Sequence, residues 1–293
     1  MTEELKQRLL WAAVPGIFAL SIILFAGPDW VFLISSLVAL QGWREFARMM
    51  GLKDRPILHF SGYCFLFFLS LSSYFIKAPD LFWLWLAWAF GFFLLYFEPF
   101  IQPFWKRLWA GTQFQKTFDL GNPQPFDPMR DWTHLCRFIL GIFYIHMIFG
   151  FMGPIAKNPN SGNLLLLLGM VVVFSGDTAA YFVGKKWGTR KLWPELSPNK
   201  TVEGALGGFV GSFGSAFLCF FLFKSFEKPL ALDVCILVGL LAPPLGQAAD
   251  FLESLMKRVS GRKDSGGLIP GHGGLLDRTD GLAFVMPLLY YLF

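Results

Sequence analysis

Asn163-Leu-Leu-Leu-Leu-Leu-Gly-Met-Val-Val-Val-Phe-Ser-Gly-Asp177-Thr-Ala-Ala-Tyr181-Phe-Val-Gly184 is apolar enough to cross a bilayer, yet it carries a carboxylate well inside the run. A spanning helix needs about 20 mostly apolar residues, and this stretch meets that length. An ionisable side chain within a span is costly and usually functional. Tyr181 stands four residues beyond Asp177 and so shares its helix face. Asp177 therefore reads as a carboxylate in a polar cavity, either near a metal or organising basic groups. The plainer alternative is a buried acid paired with a lysine for packing.

Outward from this segment the same apolar pattern recurs. Apolar residues make up 55% of the 293 residues and charged residues 15%, with 35 Phe and 11 Trp. A globular norm is roughly 25% charged, so lipid is the expected solvent. About nine stretches reach spanning length or approach it: 10–26, 29–42, 57–76, 81–97, 135–155, 163–184, 204–223, 229–249 and 275–293. The expected fold is all-α, a polytopic integral membrane helical bundle. The second stretch is short enough to be re-entrant. The N-terminus has no A-x-A cleavage site, so the first span is expected to be retained. Cys64, Cys136, Cys219 and Cys235 are scattered through apolar segments without a CxxC pair and read as small buried hydrophobes.

The basic residues orient the map. With the N-terminus inside, the outer loops hold only Lys77, Lys157, Lys224 and Lys228, leaving 21 of the 25 basic residues inside. That asymmetry predicts an N-in, C-out protein with an odd number of spans. The positive excess is then topology and anionic-lipid contact rather than nucleic-acid binding. Two regions are expected: residues 1–134, membrane helices with an interfacial cytoplasmic loop at 98–132, and residues 135–293, a catalytic membrane region. The loop joins Pro99, Pro103, Pro123, Pro125 and Pro128 to Phe104, Trp105, Trp109 and Phe114 among basic residues, a composition suited to lying on a leaflet.

Two further polar clusters fall on the same side. Ser197-Pro-Asn-Lys200-Thr201-Val-Glu203-Gly204 begins as a loop and enters a span. Its hydroxyls, a lysine and backbone N–H groups near a helix start suit phosphate binding, although the spacing is not that of a Walker A loop. The other cluster runs from Asp250 to Asp280. Asp250, Ser254 and Lys257 share one helical face, and Asp277 and Asp280 share a side at the start of the last stretch. Between them lies a glycine-rich loop with Lys263, Asp264 and His272. Carboxylates beside several cations make a site for a metal and a polyphosphate, because Mg²⁺ takes one or two carboxylates plus phosphate oxygens. The plain alternatives are a solvated Glu253–Lys257 pair and a turn-capping His272.

The residues Ser254-x-x-Lys-Arg-x-x-x-x-Lys-Asp-x-x-x-x-Ile-Pro-Gly-His-Gly-Gly-x-x-Asp-Arg-x-Asp280 resemble, without a gap, the signature of the phosphatidate cytidylyltransferases, or CDP-diacylglycerol synthases. The segments at Asp177 and at Ser197 resemble that family too, so the likeness covers roughly Ser175 to the C-terminus. The resemblance implies that CTP and phosphatidic acid give CDP-diacylglycerol and pyrophosphate. It implies Asp250 and Asp277 as the ligands of a Mg²⁺ ion, with Asp280 assisting. Room is left for a second, monovalent cation whose ligands the sequence does not identify.

Lys200, Lys257, Arg258, Lys263 and Arg278 are the expected phosphate binders. Ser197, Thr201, Asp264, Asp177 and Tyr181 complete the expected substrate site. His272 either orients a phosphate or transfers a proton. The expected setting is a bacterial inner membrane with the site facing the cytoplasm, and the resemblance also implies a homodimer. Two other readings compete. A CTP-dependent lipid-alcohol kinase of the dolichol or phytol type would transfer the γ-phosphoryl group. A cation-coupled transporter would place its charges near the midplane, commonly with internal repeats.

Overall fold

The structure is a computed structural model and describes residues 20–75, 127–159, 162–225, 229–268 and 273–292. Residues 20–25 end a helix. Helix α1 (Pro28–Met49) follows, then α2 (Pro56–Phe75), α3 (Pro128–Ile145) and α4 (Met152–Ala156). Next come α5 (Gly162–Trp187), strands β1 (Lys191–Trp193) and β2 (Ser197–Thr201), α6 (Val202–Phe223) and α7 (Leu232–Val259). A short α8 (Leu276–Thr279) leads through a 3-10 turn at Asp280–Leu282 to α9 (Val285–Leu292).

Five helices are long and apolar enough to cross a membrane: Ile57–Phe75, Met129–Ala156, Gly162–Trp187, Val202–Phe223 and Leu232–Val259. The protein is therefore a mostly helical membrane protein, with one antiparallel β1–β2 hairpin among the described residues. Large apolar side chains on α6, among them Leu206, Val210, Leu218 and Phe221, face outward. Such a face has its natural partner in lipid.

Local chemistry sets the boundaries. Asp127 caps α3, its Oδ1 accepting from the Arg130 N–H at 3.0 Å, and Pro128 stands at the first turn. The long loop expected at 98–132 thus gives way to helix at Pro128; residues up to 126 lie outside the described ones. Thr201 caps α6, its Oγ1 accepting from the Gly204 N–H at 3.1 Å. Helix α1 stops at Gly51, whose φ of 75° is left-handed. Helix α3 continues through a π-helical stretch at His146–Gly150 into α4 and runs unbroken across residues 134 and 135.

Two expectations need correction. The short stretch at 29–42 is a full 22-residue helix ending at Met49, with Asp29 in its first turn and Arg44, Glu45 and Arg48 in its last two. The last stretch, 275–293, is not one continuous helix. It is broken at residues 280–284 and leaves only the eight residues of α9. Asp277, Arg278 and Asp280 explain the break, because they crowd polar groups that need hydrogen-bond partners at the head of the run. The stretches at 10–26 (except its last residues) and 81–97 lie outside the described residues.

Two bodies of packing hold the site between them. In the first, Trp43 and Phe46 of α1 meet Phe138 and Ile142 of α3 in a fully buried core, and the Trp43 indole donates to the His59 carbonyl of α2 at 2.8 Å. A buried ion pair, Arg55 with Asp131, ties α3 to the turn after α1. In the second, α5, α6 and α7 pack side by side. A Cβ at Gly207 of α6 would run into the Val183 side chain, so that glycine sets how closely α5 and α6 approach. Ser212 and Ser215 of α6 bond to Val172 and Ser175 of α5.

Candidate active site

The site forms where the end of α7, the α8 turn and the β-hairpin converge. Helix α7 carries Asp250, Glu253 and Lys257 on successive turns of one face. Lys257 pairs with Glu253 four residues back and donates to Asp277 Oδ1 at 2.9 Å. The other oxygen of Asp277 accepts three bonds: the Ser265 N–H at 2.9 Å, the Ser265 hydroxyl at 2.9 Å and the Gly274 N–H at 2.8 Å. Burial alone would raise the Asp277 carboxyl; the Lys257 ammonium and the two N–H groups outweigh it and hold the group below the ordinary carboxylate range.

Gly273 takes a φ of 84°, which carries the chain back over Asp277. At Gly274 a side chain would collide with the Ser265 hydroxyl and Glu45 Oε2. The glycine pair is therefore what lets the loop close on the carboxylate.

On the facing side, Lys200 in β2 pairs with Asp250. Its ammonium also lies 4.5 Å from the centre of the Phe251 ring. The hairpin is fastened in turn: Glu203 accepts from the N–H groups of Thr189 and Arg190 and from both of their side chains. Arg258 donates to the Leu196 carbonyl at 3.3 Å, tying the tip of the hairpin to the end of α7. Ser197 stands in β2, half-buried.

Asp177 lines a small cavity between α5, α6 and α7 with Gly208, Ser212, Gly246 and Gln247. The cavity measures about 20 Å³, room for roughly one water. A side chain at Gly281 would lie 3.8 Å from Asp177 Oδ2, so Asp177 abuts the turn that bears Asp280. Asp280 itself accepts from the Gly281 N–H at 2.9 Å.

The predicted residues thus divide. Asp250, Lys200, Lys257, Asp277, Asp280 and Asp177 are drawn to one region of the bundle. Tyr181 is exposed, with the Lys185 ammonium 5.7 Å from its ring centre. Thr201 is buried as a helix cap. Lys263, Asp264, Arg258 and Arg278 are exposed around the rim. His272 lies outside the described residues.

The alternative of a solvated Glu253–Lys257 pair is overturned: the Glu253 side chain is completely buried and Lys257 is only 16% exposed. Three contributors were not foreseen. Glu45 of α1 is buried, and its Oε2 accepts from the Leu276 N–H at 3.2 Å and the Ser265 hydroxyl at 3.4 Å. Ser265 is the second. The third is Tyr144 of α3, whose buried hydroxyl has no hydrogen-bond partner among the described residues. That residue lies within electrostatic reach of Asp280, Glu253, Asp250 and Asp277. The rule that flagged Asp177, a charge attached to an apolar run, would have flagged Glu45 had the second stretch been carried to Met49.

The donor set fits a hard divalent cation. Asp250 and Asp277 each present an oxygen to a single lysine ammonium, a charge that a metal ion replaces in kind. No group of three His, Cys, Asp or Glu side chains among the described residues forms a ready-made cage. Mg²⁺ does not need one, since waters and substrate phosphates usually complete its octahedron.

Comparison with known proteins follows the same lines. The cytidylyltransferase family matches residues 6–293. The chain belongs to that family. Among its relatives, the phosphatidate cytidylyltransferase of Bacillus subtilis is 44% identical over 154 residues, covering 52% of this chain and 56% of its own length. That of Staphylococcus saprophyticus is 40% identical over 151 residues with the same coverage. The chain therefore spans little more than half the length of these two. The phosphatidate cytidylyltransferase of Thermotoga maritima aligns over 302 positions at 30% identity, covering 99% of this chain and 97% of its own length. The full-length match brings the N-terminal helices, and with them Glu45, inside the family.

Proposed function

We propose that this protein is a phosphatidate cytidylyltransferase, joining CTP and phosphatidic acid into CDP-diacylglycerol with release of pyrophosphate. An oxygen of the lipid phosphate attacks the α-phosphorus of CTP. A new P–O bond forms, the bond from that phosphorus to the α–β bridging oxygen breaks, and pyrophosphate leaves with the electron pair. The lipid phosphate is already a competent nucleophile, so no protein nucleophile is required, and positioning and electrostatics carry the catalysis.

The observation that carries this reading is the pair of lysine–carboxylate junctions, Lys200–Asp250 and Lys257–Asp277, which share one face of α7 seven residues apart. Each junction stores a cation beside a carboxylate. When two anionic substrates enter, Lys200 turns to a phosphate oxygen and frees Asp250, while Lys257 stays on Asp277 and offers its remaining N–H to phosphate; Asp250 and Asp277, with Asp280 beside them, are the carboxylates that would hold Mg²⁺. Bound there, the ion would neutralise charge developing on the departing pyrophosphate. Arg258, Lys263 and Arg278 on the rim draw the polyphosphate in. Ser197 and Asp264 lie beside that rim and contribute polar contacts. Asp177 closes the floor behind Asp280, with Tyr181 marking the exposed side of its helix. His272 either orients a phosphate or transfers a proton.

We assign the site to the cytoplasmic face of a bacterial inner membrane, in an N-in chain of about nine membrane segments, from the distribution of basic residues. Residues 1–134 then brace the catalytic region 135–293, the 98–132 segment lies along the leaflet, and the protein works as a homodimer. The test uses purified protein, phosphatidic acid, Mg²⁺ and CTP labelled at the α- or the γ-phosphate. The α label is expected in a CDP-lipid and the γ label in pyrophosphate. Transfer of the γ label to lipid would instead make the protein a kinase.

A further inference from the structure

Away from the carboxylates, three guanidinium groups surround a second cavity. Its wall is made of Arg48, Met49, Met50 and Gly51 from the end of α1, Arg137 from α3, and Val259, Ser260 and Arg262 from the end of α7, around about 310 Å³. Among these lining residues there is no carboxylate. Arg137 is anchored, donating to the Met50 carbonyl at 2.9 Å. Arg48 and Arg262 are exposed. The neighbouring Arg55, by contrast, is engaged with Asp131.

The bland explanation is that these arginines cap two helix ends, because α1 and α7 both point their C-termini here. A helix C-terminus carries roughly half a negative charge, so two of them offset about one of the three positive charges. Roughly two remain over a cavity large enough for a headgroup. Guanidinium forks match phosphate oxygens in geometry as well as charge. The floor is apolar at Met49 and Met50, and the exposed Val259 lies on the rim.

We infer that Arg48, Arg137 and Arg262 form a phosphate-binding site separate from the carboxylate site. Its ligand is the phosphate of an anionic phospholipid headgroup or a free phosphate such as pyrophosphate. The site is wired to the catalytic loop through one turn. The Arg262 N–H and the Ser260 hydroxyl both bond the Lys257 carbonyl at 2.9 Å, and Lys257 holds Asp277. Three residues beyond Arg262, Ser265 grips Asp277 from the other side. An anion drawn to Arg262 therefore steadies the segment that fixes Asp277.

The experiment compares wild type, Asp277→Asn and the double variant Arg48→Gln/Arg262→Gln in neutral detergent. Bound phosphatidylglycerol is counted by native mass spectrometry and inorganic pyrophosphate binding is measured by calorimetry. Wild type and Asp277→Asn are expected to bind at least one probe saturably, and the double variant at least tenfold more weakly. Lipid retention without pyrophosphate binding assigns a headgroup; binding of both assigns any accessible phosphate. No saturable binding by wild type, equal binding by the double variant, or loss of binding in Asp277→Asn would overturn the inference. Should the double variant fail to fold, Arg262→Gln alone, at an exposed turn, is expected to weaken binding three- to fivefold, and unchanged binding there overturns it equally.

Discussion

The two lysine–carboxylate junctions use the same residue types and are built differently. Lys200 and Asp250 are 28% and 29% exposed and are joined by a single contact between a hairpin and a helix. Lys257, Asp277 and Glu253 are 16%, 10% and 0% exposed, and Asp277 accepts from four donors at once. The first junction is a latch that substrate can open. The second is part of the fold, with the carboxylate held in one orientation before any ligand arrives. A partly exposed ion pair contributes about 0–1 kcal/mol, so opening the latch costs little. Groups already oriented for a reaction need no reorganisation when it occurs, which is what the second junction provides.

The largest expected effect strikes both junctions together. Chelation with EDTA should take turnover to background and Mg²⁺ should restore it; turnover that persists without divalent metal would remove the metal role from both carboxylates. Next is Asp277→Asn, which should lower kcat by at least about 10²–10³-fold, the scale for losing a preorganised electrostatic group. The amide keeps the shape but can no longer accept from both sides. Membrane insertion should survive while stability falls by about 1–3 kcal/mol, because buried donors lose an acceptor. Wild-type turnover in purified Asp277→Asn would sink its assignment as a ligand.

Asp250→Asn separates the two junctions. Its loss of turnover should approach that of Asp277→Asn, yet its stability should change by no more than about 1 kcal/mol, since the contact broken is partly solvated. Thermal unfolding of both variants in the same detergent gives the answer. Equal destabilisation would mean that the Lys200–Asp250 contact is as structural as the other, and the distinction between latch and frame would fall.

Much of this was legible in the sequence because it is local. The apolar run with Asp177 inside it, Lys200 just before a helix start and the glycine-rich stretch before Asp277 are all read from neighbours along the chain. What escaped depends on distance or on enclosure. Ser265 and Glu45 meet across 220 positions, and no spacing rule reaches that far. Glu253 and Lys257 have the spacing of a solvated helix pair, and only the packing of α7 against its neighbours decides that Glu253 is buried. The run from residue 275 has the composition of a span, but its polar head needs hydrogen bonds that a continuous helix would deny it, so it breaks at residues 280–284. The N-terminal helices looked like generic membrane anchors because their one contribution to the site is a single carboxylate at a helix end.

That carboxylate gives the smallest effect and the sharpest test of how the frame is held. Glu45 touches no residue assigned to substrate; it grips the Leu276 N–H and the Ser265 hydroxyl, the two sides of the loop that cradles Asp277. Its Oε1 has no hydrogen-bond partner among the described residues, so Glu45→Gln leaves either an amide N–H₂ without an acceptor or a reversed amide that cannot accept from Leu276. Misplacing a catalytic group by about 1 Å can cost up to 10²-fold, and a gripped but loosened Asp277 should cost about tenfold in kcat. KM for CTP should stay within about twofold, because binding through the rim cations and Lys200 is untouched. Stability should fall by about 1–3 kcal/mol. A purely structural Glu45 would lower stability and leave kcat per folded molecule unchanged. That outcome would confine the preset geometry of Asp277 to the loop and α7, and return the N-terminal half to the role of an anchor.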